Sequence, residues 1–217
     1  MKKIILSFHC LMAVLFIACN KYDIHNTDEQ VGISKVTNFP ILDFKGDQYM
    51  AIPVGSIFTD PGITAKEGTS EIVYTTSGSV NSNTVGVYLL TYSAVNKDGF
   101  PASISRAVAV YSTDAAAAAN DFSGAYVRTS NGVPSTWTRI APGVYIVLNP
   151  GGAPGFTTKV IVFNSTGNTL HIPSQTIDDG SAMTSSDEVY TSSSPSTYSW
   201  RIQNPGYGTG LRNFVKQ

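Results

Sequence analysis

Beyond residue 30 no segment holds a helical period for a useful length, and this narrows the fold more than any other feature. Gly, Pro, Asn, Ser and Asp return at short intervals between runs rich in Val, Ile, Thr and Tyr, which is the punctuation of an all-β protein. The exception is Ala115–Ala119 behind Asp114, a candidate N-cap. So short a helix is marginal alone. TDAAAAAND therefore reads as a seam between two β domains, a linker over 113–120 with one turn of helix in it.

Cysteine usage fixes the setting. Lys2 and Lys3 precede an apolar run from Ile4 to Ala18, too short for the roughly 20 residues of a membrane-spanning helix and of the right size for a signal peptide. Ala18 directly precedes Cys19, and no cysteine follows it. The stretch FIACNKYD resembles the lipobox of bacterial lipoproteins, with Phe16 where Leu is preferred, a looseness common in Bacteroidetes. The resemblance implies a signal peptide over 1–18, acylation of Cys19 and a lipid anchor in the outer membrane, with the chain exposed at the cell surface. Asn20 follows the cysteine, so an Asp-type inner-membrane retention signal is absent.

The polar stretch that follows reads as a tether over 19–30. Cys10 leaves with the signal, so the mature chain has no thiol for a disulfide, a zinc site or a nucleophile, and its cores must hold it. Without Lys2 and Lys3 the chain carries 12 basic and 15 acidic residues, which speaks against a nucleic-acid partner.

The first domain is expected over 31–112. In Gly86–Ala94 the side chains of Tyr88, Leu90, Tyr92 and Ala94 fall on one face, and Ser103–Tyr111 returns as a partner strand after Lys97-Asp98-Gly99. Gly86-x-Tyr88 sits where a tyrosine corner opens the penultimate strand of an immunoglobulin-like sandwich, and Leu90 stands where antibody domains place a cysteine. FTDPGITA, TVGVYLLTYSAVNKDG and RAVAVY resemble a bacterial Ig-like family related to hyalin repeats, which implies a spacer domain. Lys66-Glu67-Gly68 replaces the family's usual acidic residues, which puts a calcium site in doubt.

The second domain, 121–217, reads as eight or so short strands forming an antiparallel barrel or sandwich. Expected strands are 125–129, 136–140, 144–149, 159–163, 169–172, 198–203 and 211–215. FSGAYVR, STWTRIAPGVYIV, IPSQTI and WRIQNPGYGTGLRNF resemble a C-terminal domain of Bacteroidetes surface lipoproteins from polysaccharide-utilisation systems. That resemblance implies a glycan partner.

No catalytic constellation stands out, and no cofactor or metal is implied. His25 lies in the tether, and His171 reads as a strand residue with no second histidine or acidic cluster near it in sequence. Gly206–Gly210 has no helix behind it to make a phosphate site. Asp178-Asp179 and Asp187-Glu188 are acidic pairs that read as solvated loops rather than glycosidase carboxylates.

Only 11 of residues 121–217 are charged, while both tryptophans lie there. A polar, little-charged surface with rings suits a neutral sugar. Trp137 shares a strand face with Ser135 and Arg139, a set too polar to expect wholly buried. Trp137, Arg139 and Tyr207 are the first candidates, with Phe156 beside them. Trp200, alternating with Tyr198 and Ile202, reads more readily as core but joins the set. The reading is a surface lipoprotein that binds glycan through its C-terminal domain, with the Ig-like domain as spacer, and is not an enzyme. The alternative is a scaffolding lipoprotein packing against an outer-membrane transporter complex or another protein.

Overall fold

The computed structural model describes residues 30, 31 and 34–217, with side chains from residue 36. The expected signal peptide, the lipidation at Cys19 and nearly all of the tether lie outside the described residues. Ahead of residue 39, among the described residues, β1 (Gln30–Val31) pairs antiparallel with β2 (Ser34–Lys35) in a unit of its own. Residues 39–217 form the other unit, which is all-β apart from one short helix.

Its first part is an Ig-like sandwich. One sheet has the order β3 (Pro40–Phe44), β5 (Ile63–Glu67), β6 (Ser70–Glu71). The other has the order β4 (Tyr49–Pro53), β9 (Pro101–Tyr111), β8 (Gly86–Val95), β7 (Tyr74–Ser77), with β4 parallel to β9 and the rest antiparallel. The expected alternation on β8 holds, because Leu90, Tyr92 and Ala94 are buried and pack with Ile63 and Ala65 of the opposite sheet. The Tyr88 hydroxyl donates to the Thr84 carbonyl at 2.8 Å, closing the expected tyrosine corner, although Tyr88 is only half-buried.

The seam is α1 (Ala115–Ala119), whose N-cap Asp114 accepts from the Ala117 N–H at 2.7 Å. Beyond it an eight-stranded antiparallel sheet curls into a nearly closed barrel. Its order is β13 (Lys159–Phe163), β12 (Val144–Leu148), β11 (Pro134–Ala141), β10 (Gly124–Arg128), β17 (Leu211–Lys216), β16 (Thr197–Gln203), β15 (Ala182–Thr191), β14 (Gln175–Thr176).

The two edges, β13 and β14, meet without a backbone ladder. The Gln175 carboxamide bridges them, accepting from the Ile161 N–H and donating to the Ile161 carbonyl, each at 2.8 Å. The expected strand 169–172 reduces to a single bridge between His171 and Phe163. The barrel interior is an aromatic core of Tyr126, Trp137, Tyr145, Tyr198, Trp200 and Phe214.

β12 and β13 are buried on both faces. Val147, Val160 and Val162 look into the barrel, while Val144, Ile161 and Phe163 look outward and pack on Ala109 of the Ig-like sheet, flanked by Tyr49 and Ala107. Small alanines on β9 let the sheets approach closely. The two domains are docked over this apolar contact.

Candidate functional site

The structure separates the residues expected to bind sugar. Trp137 is 2% exposed and stacks on Trp200 with ring centroids 5.6 Å apart, so it is core and not a platform for ligand. The polar face it shares with Ser135 and Arg139 is the inside of the barrel. Ser135 is buried because its hydroxyl donates to the Leu148 carbonyl at 3.2 Å and accepts from Tyr198 at 3.2 Å. Arg139 sits at the barrel mouth, where Nη2 donates to the Ala118 carbonyl of α1 at 2.6 Å. It holds the seam rather than a ligand. Trp200 is fully buried, and its indole N–H donates to the Pro150 carbonyl at 2.9 Å.

At the opposite mouth Phe156 and Tyr207 do come together, at 5.2 Å between centroids. Phe156 is exposed. The Tyr207 ring, however, is laid against Gly151, where any Cβ would meet it at 2.1 Å, and the Arg212 guanidinium lies 5.5 Å from its centroid. Only one of these rings offers a free face.

The acidic pairs also differ. Asp178-Asp179 forms the expected turn, with Asp179 accepting from the Ser181 N–H at 2.8 Å. Asp187-Glu188 instead makes a bulge inside β15, with Asp187 at φ 53°. Asp187 pairs with Arg201 at 2.7 Å, and Glu188 accepts from Ser185 at 2.5 Å and contacts His171 at 2.8 Å. His171 is exposed, and no group of three His, Cys, Asp or Glu side chains gathers as a metal site among the described residues.

A cleft of about 640 Å³ opens where the docked sheets diverge. One wall is the outer face of the Ig-like sheet, with Thr91 and Ser105 joined at 2.9 Å between hydroxyl oxygens and Gln48 beside them. The other wall is the barrel edge, with Lys159, Thr176 and Asp178. The Tyr49 ring stands between them, with the Lys159 ammonium 5.8 Å from its centroid. Burial, helped by the Asp178 carboxylate, pushes the Tyr49 hydroxyl up to about 12, so it stays a neutral donor and acceptor.

Sequence reasoning missed this site because it is made by docking. One signal was present: VYIVL and VIVF are uninterrupted apolar runs, as strands covered on both faces tend to be.

Residues 42–110 match the family described as bacterial surface protein, Ig-like domain. The match spans less than half of the chain and gives its first β domain a bacterial surface-protein type. Among solved structures, the chain is similar to the crystal structure of the lipoprotein BT2262 from Bacteroides thetaiotaomicron, with 23% identity and a TM-score of 0.43. The alignment covers 82% of this chain and 100% of that one. No curated protein matches the sequence.

Proposed function

We propose that this is a lipid-anchored protein of the outer membrane, exposed at the cell surface, that holds a neutral glycan in the cleft between its Ig-like domain and its barrel. The observation that carries the reading is the lining of that cleft. Its volume of about 640 Å³ lies within the range of small-ligand sites, and its walls offer hydroxyls, amides and the rings of Phe44 and Tyr49, with one residue of each charge, Lys159 and Asp178. Sugar hydroxyls both donate and accept, as do Thr91, Ser105 and Gln48, while the C–H face of a pyranose packs on a ring such as Tyr49.

The lipobox-like FIACNKYD and the surface-type Ig-like domain support the setting. The engaged states of His171, Glu188 and Asp187 support a binding role over catalysis.

A glycan-array screen of the mature chain tests the reading, with Thr91→Trp as a variant that fills the cleft. Retention of a neutral oligosaccharide by the wild type, lost in Thr91→Trp but kept in Phe156→Ala, is the expected result. Equal retention by Thr91→Trp removes the cleft, and loss in Phe156→Ala alone moves the ligand to the barrel mouth. Failure of every glycan to bind favours the scaffolding alternative.

A further inference from the structure

The end of the Ig-like domain farthest from the barrel carries an exposed aromatic pair. β8 runs away from the docked interface and β9 runs back to it, so their connecting turn, residues 96–100, lies at the free end of the sandwich. The first strand starts at that same end. Pro40 pairs with Glu67, whose carboxylate accepts from the Lys97 N–H at 2.9 Å. Phe39 is therefore beside Phe100, with ring centroids 5.1 Å apart in an edge-to-face contact. Both rings face water, at 60% and 44% exposure, and Ile41 at 56% and Val95 at 55% are exposed on the strands that lead to this end. Single exposed apolar residues are ordinary, but two aromatic rings in contact with each other and open to water mark an interaction surface.

We propose that this pole rests on the lipid bilayer, with Phe39 and Phe100 inserted at the headgroup boundary. The inference depends on the lipid anchor of the proposed function. What selects lipid over a protein partner is the path of the chain. The unit begins at Phe39, 20 residues after Cys19, so the patch lies where the anchored segment arrives. That segment reaches at most about 70 Å when extended. The contact is therefore intramolecular with respect to the membrane, and a small patch suffices at the resulting effective concentration. Its consequence is orientation. The bilayer would lie at the Ig-like pole and the barrel would stand away from it.

The test uses the acylated chain reconstituted in phosphatidylethanolamine/phosphatidylglycerol vesicles. Cys19 is the mature chain's only cysteine and is blocked by lipid, so Phe100→Cys takes an environment-sensitive fluorophore at one place, and Ser130→Cys on an exposed barrel hairpin serves as control. The expected result is a blue-shifted emission at 100, quenched by spin-labelled lipid, with neither effect at 130. A chain that floats with the vesicles yet shows no quenching at 100 overturns the patch alone. A blue shift without lipid quenching means that protein, or the chain's own tether, covers the pole, and also overturns it. A mature chain without acyl mass on Cys19 overturns the anchor, and the proposal with it.

Discussion

Arg106 and Asp60 form an ion pair that joins the DPG turn to the start of the RAVAVY strand inside the Ig-like sandwich. Arg106 is completely buried, and each of its guanidinium nitrogens has a partner. Nε donates to the Asp47 carbonyl at 2.9 Å and Nη2 to the Lys45 carbonyl at 2.7 Å, while Nη1 binds Asp60 and the Tyr92 hydroxyl, the latter at 2.8 Å. The charge also lies 5.2 Å from the Phe44 ring centroid and 5.5 Å from that of Tyr92. Two sequence motifs some 45 residues apart are thus one structural knot.

Losing one member of a buried pair strands the other. Arg106→Ala is expected to destabilise the sandwich by about 3–5 kcal/mol. Asp60→Asn should cost less, because the amide keeps an oxygen for the Tyr92 hydroxyl and Arg106 keeps its bonds to the Asp47, Lys45 and Gly62 carbonyls. Burial alone would raise the Asp60 carboxyl, but the Tyr92 hydroxyl, the Gly62 N–H and Arg106 together hold it below its ordinary value of 3.8. Its contribution is then complete above that value and is lost as pH falls through the lower, folded value. Urea midpoints of wild type and Asp60→Asn should differ at pH 7 and converge below about pH 4. A gap independent of pH would refute the assignment.

Tyrosines give the opposite limb. Burial, the leading cause at each, raises the hydroxyls of Tyr49 and Tyr92 to about 12 and those of Tyr126, Tyr145 and Tyr198 upward as well. A raised folded value means stability that is intact below pH 10 and lost as pH climbs through the window from 10 to about 12. Tyrosinate absorbance should therefore rise late and together with loss of near-ultraviolet dichroism. A smooth titration centred at pH 10 with the dichroism retained would show these rings to be open to water.

Alternation along a strand says which residues share a face but not which way the face looks. On β8 the inward set was plain, because Leu90, Tyr92 and Ala94 oppose more polar neighbours. On β11 the same reasoning grouped Ser135, Trp137 and Arg139 correctly and sent them to solvent, because a lone strand does not reveal that the Ser135 hydroxyl has buried partners or that Arg139 ends at a barrel mouth. β15 escaped notice altogether. Its inward residues are Met183 and Ser185, and the bulge at Asp187-Glu188 then breaks the period. Closure of the barrel rests on bonds between distant segments, the Gln175 clasp and the His171–Phe163 bridge, which no local pattern carries.

Trp137 supplies a direct check of that correction. Removing a ring from an interior packed by Trp200, Tyr198, Tyr126 and Tyr145 leaves a cavity, and Trp137→Ala should cost about 3–5 kcal/mol. Denaturation of the purified variant measures it. Near-wild-type stability would return Trp137 to the surface and to the list of ligand rings.

Two tyrosines bond four residues back. Tyr88 reaches the Thr84 carbonyl at 2.8 Å, and Tyr126 reaches that of Phe122 at 3.1 Å. Tyr126 is fully buried and Tyr88 half-buried, so the carbonyl stranded by Tyr126→Phe has less access to water. Tyr88→Phe should cost on the order of 1 kcal/mol, and Tyr126→Phe more, toward about 2–3 kcal/mol. Chemical denaturation of both variants would settle the order, and an equal or reversed cost would show that burial does not govern it.

Gln175 closes the barrel, and its removal should reopen it in a recognisable way. The carboxamide is the one side chain that pairs both backbone groups of Ile161, taking the place of a strand neighbour between β13 and β14. Gln175→Leu keeps the volume nearly constant but leaves a buried N–H and a buried carbonyl without partners, at about 1–3 kcal/mol each. Gln175→Glu keeps the acceptor for the Ile161 N–H and replaces the donor to its carbonyl by a charge. Both variants should unfold at lower urea, and amide exchange should distinguish their causes. In Gln175→Leu the Ile161 N–H should exchange much faster than that of Ile146, which faces Thr138 in the intact β11–β12 ladder. Were Ile161 to stay as protected as Ile146, another group would have to bridge the edges, and the barrel would close without its side-chain clasp.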